Sequence, residues 1–301
     1  MYGNESFTII TVPDDRSSIN SAISAVPNGG IVRIKGGTYT ENVYINKSVT
    51  LEGENNPRIL SPLMVDSVQN VIIKGIRFEI YPYGTEAALT VYNVKGLVLE
   101  RLTFKGSSIL LVNSTNIVVK GCRFEDNLGP SISIRGSGSG NITIEWCQFI
   151  LAYSALLVRQ GSDIIFRYND VNTTSEPIKL YNQCVNTLVY LNNFYYGVAE
   201  DNGIDNKWFN GTIKLGNYWA KLVSANDRDG DRILDEPIKI LGLSQTLDMY
   251  PLMEPFTEYI NNQTWPATFI SLISLMAVAI IVFISLLEYR RRCRKRYESK
   301  S

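Results

Sequence analysis

One short phrase recurs six times between residues 70 and 194, and it leaves few folds open. It reads polar residue or glycine, apolar, any, apolar, usually charged, then a few residues later an aromatic or apolar side chain. The copies run Asn70…Lys74…Phe78, Gly96…Glu100…Phe104, Asn116…Lys120…Phe124, Asn141…Glu145…Phe149, Asp163…Arg167…Val171 and Asn186…Tyr190…Phe194. Successive copies start 26, 20, 25, 22 and 23 residues apart. Short strands recurring at that period cannot bury a face alone and are stabilised by stacking on their neighbours, which is the logic of a solenoid. Alternation with period two makes each copy one coil of a parallel β-helix.

Alternation sends the flanking apolar pairs inward: Val71 with Ile73, Ile117 with Val119, Ile142 with Ile144. Phe78, Phe104, Phe124, Phe149 and Phe194 are expected to stack as an internal aromatic column. The charged position faces out. Counting the earlier strand at 49–51, it reads Glu52, Lys74, Glu100, Lys120, Glu145, Arg167, with signs alternating without a break. Neighbouring coils lie about 4.8 Å apart, so each charge falls between opposite ones and a slipped register is penalised. Exposed pairs contribute only about 0–1 kcal/mol each, so this ladder specifies register more than it stabilises.

A second strand precedes each of the last five copies, at 88–92, 108–112, 131–135, 155–159 and 177–181. Its outward positions carry Tyr92, Val112, Arg135, Arg159 and Tyr181, with Lys179 two residues before the last. Rings and guanidinium groups in one outward column suit an extended acidic glycan, the rings by stacking and the guanidiniums by paired hydrogen bonds. Tyr92, Arg135, Arg159, Lys179 and Tyr181 are therefore the candidate carbohydrate-binding residues; the other reading is a solvated strand face. No two carboxylates stand in these columns as an acid and a base, and Asp126, Asp170, Asp201 and Asp205 are scattered loop acids. No catalytic residue is assigned.

The chain has 301 residues, 45% of them hydrophobic, enough for a long thin core. It contains no histidine. That removes His-based acid–base chemistry, Ser-His-Asp triads and His-ligated zinc or copper sites. Residues 267–287 form a run of 21 without a charge, the length of a transmembrane helix. Trp265 and Tyr289 mark its ends, and the basic stretch from Arg290 to Arg296 places the C-terminus in the cytoplasm. The expectation is a single-pass cell-membrane protein with its β-helix outside. Residues 1–12 hold no signal peptide, which leaves a start upstream, a processed or truncated form, or insertion by the tail, of which a signal upstream is the favoured expectation.

Asn4, Asn46, Asn113, Asn141, Asn172, Asn210 and Asn262 stand in glycosylation sequons, which fits an external surface. Residues 1–289 carry 22 basic and 28 acidic groups, a net of −6, a poor balance for binding nucleic acid. Cys122 and Cys147 share one inward column in adjacent coils, as stacked thiols or as a disulfide. Cys184 has no evident partner, and Cys293 lies in the basic tail as an acylation candidate or an idle thiol.

The two ends of the solenoid carry further motifs. The first runs Val12-Pro-Asp-Asp…Ile19-Asn-Ser-Ala-Ile23…Gly37-Thr-Tyr-Thr-Glu-Asn-Val43…Asn46-Lys-Ser-Val-Thr-Leu-Glu-Gly53. The last runs Gly216-Asn-Tyr-Trp219…Asp227-Arg-Asp-Gly-Asp231…Asp235-Glu-Pro237…Asp248-Met-Tyr-Pro-Leu-Met253-Glu-Pro255. Together with the repeats, these resemble the NosD-like right-handed β-helix family over about residues 8–256. The resemblance implies an exported right-handed parallel β-helix with carbohydrate-related or accessory-assembly roles. Copper, attached to that family through nitrous oxide reductase maturation, has no histidine to hold it here.

Ser17 to Val26 reads as a helix plugging the first coil with Ile19, Ala22, Ile23 and Val26, since solenoid ends need caps. Trp208, Tyr218 and Trp219 read as packing of the other cap. Within that cap Asp227, Asp229, Asp231 and Asp235 fall at positions 1, 3, 5 and 9 of a calcium-loop spacing. Arg232 replaces the glycine of position 6, and Ile238 stands where a bidentate Glu belongs. Any calcium here is expected to be structural, and neither zinc nor copper is expected.

The expected order is a lead-in and helical cap at 1–29, β-helix at 30–215, C-terminal cap at 216–258, linker at 259–266, transmembrane helix at 267–287 and cytoplasmic tail at 288–301. The expected function is a membrane-anchored surface β-helix that binds glycan or surface partners. The alternatives are a polysaccharide lyase or glycoside hydrolase, and a scaffold or accessory factor of a membrane complex.

Overall fold

The computed structural model describes residues 8–80, 87–221 and 226–262. Each coil has three straight sides, and like sides stack in parallel. In the coil beginning at residue 95 they are Lys95–Glu100, Thr103–Lys105 and Ile109–Val112. The first side stacks in register from Ile9–Val12 and Ile31–Ile34 through Gly140–Glu145 and onward. The second forms a nine-stranded parallel sheet from Thr38–Tyr39 to Tyr218–Trp219. The third runs from Val43–Ile45 through Pro130–Arg135 to Glu200–Asp201. Strand Ser154–Arg167 continues round one corner and so joins the first and third sides into one sheet.

The corners account for the opening position of the repeat. Asn70, Asn116, Asn141, Asp163 and Asn186 all have φ between 50° and 58°, and Gly96 has φ 82°. That left-handed backbone is open to Gly and tolerated by Asn and Asp. Stacked corner side chains also bond from coil to coil, Asn141 Nδ2 to Asn116 Oδ1 at 2.7 Å and Asn186 Nδ2 to Asp163 Oδ1 at 2.6 Å.

The charge ladder is in the expected register, with Glu52 beside Lys74, then Glu100, Lys120, Glu145 and Arg167 in succession. Arg33 extends it by one coil, bonding Glu52 at 3.4 Å. The closest contacts fall in pairs: Lys74 to Glu52 at 2.9 Å, Lys120 to Glu100 at 3.9 Å and Arg167 to Glu145 at 2.8 Å.

Inside the second side, Phe78, Phe104, Phe124 and Phe149 stack with ring centroids 5.0, 5.0 and 4.9 Å apart. Phe194 does not join them. Val171 occupies the intervening coil, and Phe194 stacks on Trp219 at 4.3 Å.

A second internal column begins apolar and ends polar: Ile76, Leu102, Cys122, Cys147, Asn169, Asn192, Asn217. Asn192 donates to Phe166 O, Tyr190 O and Asn217 Oδ1, and it accepts from the main chain and carboxamide of Asn169. Cys122, Cys147 and Cys184 are free thiols, all buried. Cys184 Sγ lies 3.1 Å from Thr187 Oγ1.

Helix α1, Ile19–Ala25, plugs the first coil with Ile19, Ala22 and Ile23 buried and Val26 packed just beyond it. Ser18 Oγ caps it from Ser21 N–H, and the Glu41 carboxylate accepts the Ile19 and Asn20 N–H groups at its start. At the other end Trp208 and Trp219 are fully enclosed, their indole N–H groups bonded to Asp201 and Asp248. They are packing residues of the cap, as their placement in the sequence suggests.

The expected fold class is corrected in one respect. Among the described residues no helix is long and apolar enough to cross a membrane; α1 and α2 (Phe256–Asn262) have seven residues each. The segment 267–287, expected to span, lies outside the described residues. The described chain is a parallel β-solenoid with a short helix at its start and a second short helix among its last described residues.

Candidate functional site

The third side presents the expected column to solvent. Ile134, Val158 and Leu180 stack in register and are fully buried, so the next residues, Arg135, Arg159 and Tyr181, turn to the outer face, although the register between the last two strands shifts just past Val158. The Arg159 guanidinium lies 5.1 Å from the centre of the Tyr181 ring, and Lys179 Nζ lies 5.6 Å from it. Lys179 is not a free cation, because Glu200 in the next coil bonds it at 2.5 Å. That partner holds the Lys179 pKa above its ordinary value and the Glu200 pKa below its own. Tyr92 belongs to the same column but is separated from Arg135 by Val112. The structure thus gathers Arg135, Arg159, Lys179 and Tyr181 and leaves Tyr92 apart.

Beside the two arginines is a groove of about 440 Å³. Its lining includes Leu128, Pro130 and Leu157, the polar residues Ser107, Ser108, Asn127 and Ser133, and the cations Arg135 and Arg159. No carboxylate lines it, and among the described residues no carboxylate pairs with either arginine. Two connections between the second and third sides meet here. Ser107 N–H donates to Asn127 Oδ1 at 3.2 Å, and Asn127 Nδ2 donates to Ser131 Oγ at 3.1 Å, which fixes one connection against the other. Ser107 and Asn127 were invisible to the repeat pattern because they lie between its strands; the turn residues Asn127 to Pro130 signal only that the chain bends there.

The Asp-rich loop is only partly assembled as expected. Carboxylate oxygens of Asp227, Asp229 and Asp231 lie within 4.8 Å of one another. Asp235 is turned to Arg228, whose main-chain N–H it accepts at 3.2 Å and whose Nε lies 3.6 Å away. The three clustered carboxylates also accept main-chain N–H groups of Gly230, Asp231, Arg232 and Ile233, which shape the loop. Three oxygens suit a hard cation only if backbone carbonyls and water complete the six to eight ligands calcium takes.

Of the sequon asparagines, Asn46, Asn113, Asn141 and Asn172 are exposed. Asn141 already donates to Asn116, and Asn210, half-buried, accepts from Thr212 and Ile213 N–H. Asn4 and the side chain of Asn262 lie outside the described residues.

The family model for the right handed beta helix region matches residues 9–194, which is most of the stacked coils. The chain belongs to the right-handed β-helix family. A solved structure of ORF18 from Geobacillus virus E2 resembles this β-helix at 16% identity, over 67% of this chain and 58% of that one, with a TM-score of 0.33. The chain thus spans less than two thirds of that relative, and a likeness of this size says nothing of function. No curated protein matches this β-helix.

Proposed function

We propose that this β-helix binds carbohydrate carrying acidic groups along its third side, without cleaving it. A carbohydrate-binding or hydrolase-like role fits a right-handed β-helix in general. The observation that carries the binding reading is the pair Arg135 and Arg159, adjacent, exposed and without a carboxylate partner among the described residues, at a groove flanked by the Tyr181 ring. Glycoside hydrolysis ordinarily uses two carboxylates, and the groove is lined by none, which favours binding over cleavage. The NosD-like motifs at both ends and the exposed sequons support a site of action outside the cytoplasm.

The test is a panel of acidic and neutral polysaccharides offered to the full chain, scoring retention and newly released reducing or unsaturated ends. Retention of acidic members without release is expected, and Arg135→Ala with Arg159→Ala should abolish it. Release of ends would overturn the non-catalytic reading; retention unchanged in the double variant would remove this face from consideration.

We also propose that Asp227, Asp229 and Asp231 hold a structural calcium ion. Calcium should then raise the thermal midpoint and chelator lower it, and Asp229→Asn should erase the difference. A midpoint indifferent to both would sink this part.

A further inference from the structure

Among the described residues, Ser107 Oγ is the single buried side-chain oxygen or nitrogen without a hydrogen-bond partner. Buried hydroxyls are normally paired, and an orphan costs about 1–3 kcal/mol. Ser107 is 5% exposed and belongs to the lining of the groove that also holds Arg135 and Arg159. Its main chain is fixed, because its N–H is committed to Asn127 Oδ1 and Asn127 is committed in turn to Ser131. Only the hydroxyl is left with nothing to bond.

The arginines show a matching deficit. They directly follow the paired residues Ile134 and Val158 in adjacent coils, and no carboxylate among the described residues forms an ion pair with either. Every charged position of the Glu52-to-Arg167 ladder, by contrast, has an opposite charge beside it. A cation pair and an unpaired hydroxyl on one groove are together complementary to an oxyanion with further oxygens nearby. Leu128, 74% exposed at the same groove, offers an apolar surface to the C–H face of a ring. The volume falls within the ~300–1,000 Å³ usual for small-ligand sites.

Resting on the carbohydrate reading above, we propose that this groove is a subsite for one anionic sugar residue. Its carboxylate or sulfate ester is held by Arg135 and Arg159, and one of its oxygens bonds Ser107 Oγ as that hydroxyl turns from its enclosed position toward the groove.

The experiment titrates the full chain with galacturonate oligomers, sulfated galactan oligomers and uncharged galactan oligomers of equal length. At least one anionic series should bind roughly tenfold or more tightly than the neutral one, as expected for charge-assisted contacts; which series does so identifies the anion. Ser107→Ala should weaken that binding by roughly fivefold to tenfold, the loss of one hydrogen bond. Its thermal midpoint should be unchanged or raised, because the substitution removes an unpaired buried group. If Ser107→Ala binds like the wild type while the Arg135 and Arg159 variants lose binding, the subsite is overturned and the carbohydrate reading survives. Equal affinity for neutral and anionic oligomers overturns the subsite as well. Failure of every oligomer to bind overturns both.

Discussion

Asp248 ends the internal asparagine ladder: its Oδ2 accepts both the main-chain N–H of Asn217, at 2.8 Å, and the Asn217 carboxamide, at 3.1 Å. Trp219 Nε1 reaches the same oxygen at 3.0 Å, and Tyr250 N–H bonds Oδ1 at 3.3 Å. One carboxylate therefore ties the C-terminal cap to the last coils of the solenoid. It is fully buried, and no cation is among its hydrogen-bond partners.

Burial pushes the Asp248 pKa from 3.8 up to about 7, against the pull of those N–H donors. The folded state then holds a proton that the unfolded chain releases, so the contribution of Asp248 to stability is complete below about pH 4. It is lost as pH rises to about 7, by at most about 4 kcal/mol. Asp248→Asn keeps an oxygen for Asn217 and continues the ladder with the residue type already used in it. Urea unfolding at pH 4 to 8 should show the variant gaining on the wild type as pH rises, with the change finished just above neutrality. A difference independent of pH would refute the assignment.

Asn192 sits mid-ladder with both ends of its carboxamide in use. Asn192→Ala strands the Asn169 main-chain N–H and the Phe166 carbonyl away from water. With about 1–3 kcal/mol for each unpaired buried group, a loss on the order of 3 kcal/mol is expected. Asn217→Ala should behave alike and also release the cap. A loss below about 1 kcal/mol in denaturant unfolding would mean that water replaces the carboxamide.

Much of this architecture was legible because a solenoid repeats its environment at a near-constant interval. Glu52, Lys74, Glu100, Lys120, Glu145 and Arg167 meet one another because each occupies the same place in its coil. The same logic placed Arg135, Arg159 and Tyr181 in one column. It failed at Phe194 because Val171 already held the adjoining coil and Trp219 supplied a ring on the other side. It could not reach Asp248, which joins the ladder from 31 residues beyond Asn217. Nor could it reach Ser107 and Asn127, whose connections differ from coil to coil and carry no period. Asp235 matched the calcium spacing, yet the neighbouring Arg228 draws it away from the three clustered carboxylates.

Lys120 lies between Glu100 and Glu145 in the outer ladder. Lys120→Glu would align three carboxylates in consecutive coils. Its side chain is 44% exposed and 3.9 Å from Glu100, so solvent screening keeps the effect to about 1 kcal/mol. The loss should shrink in 1 M salt, where the Debye length is about 3 Å. Glu145→Lys should cost more, because Arg167 bonds Glu145 through two nitrogens at 2.8 and 2.9 Å. Equal, salt-insensitive losses in both variants would assign the ladder no electrostatic role.

The internal cysteines should be silent toward alkylating reagents as long as the coils are closed. Cys122 and Cys147 are each 1% exposed, and Cys184 is fully buried. Burial raises the Cys147 pKa well above its ordinary value and the Cys184 pKa to about 11. Only the thiolate reacts, and at pH 8 a group titrating near 11 is ionised in roughly one molecule in a thousand. Iodoacetamide at pH 8 should therefore leave all three unmodified in the native chain and label all three in urea, read by peptide mass mapping. Labelling of any one without denaturant would show that its coil opens; failure of Cys122 and Cys147 to label in urea until a reductant is added would reveal a disulfide in place of the free thiols.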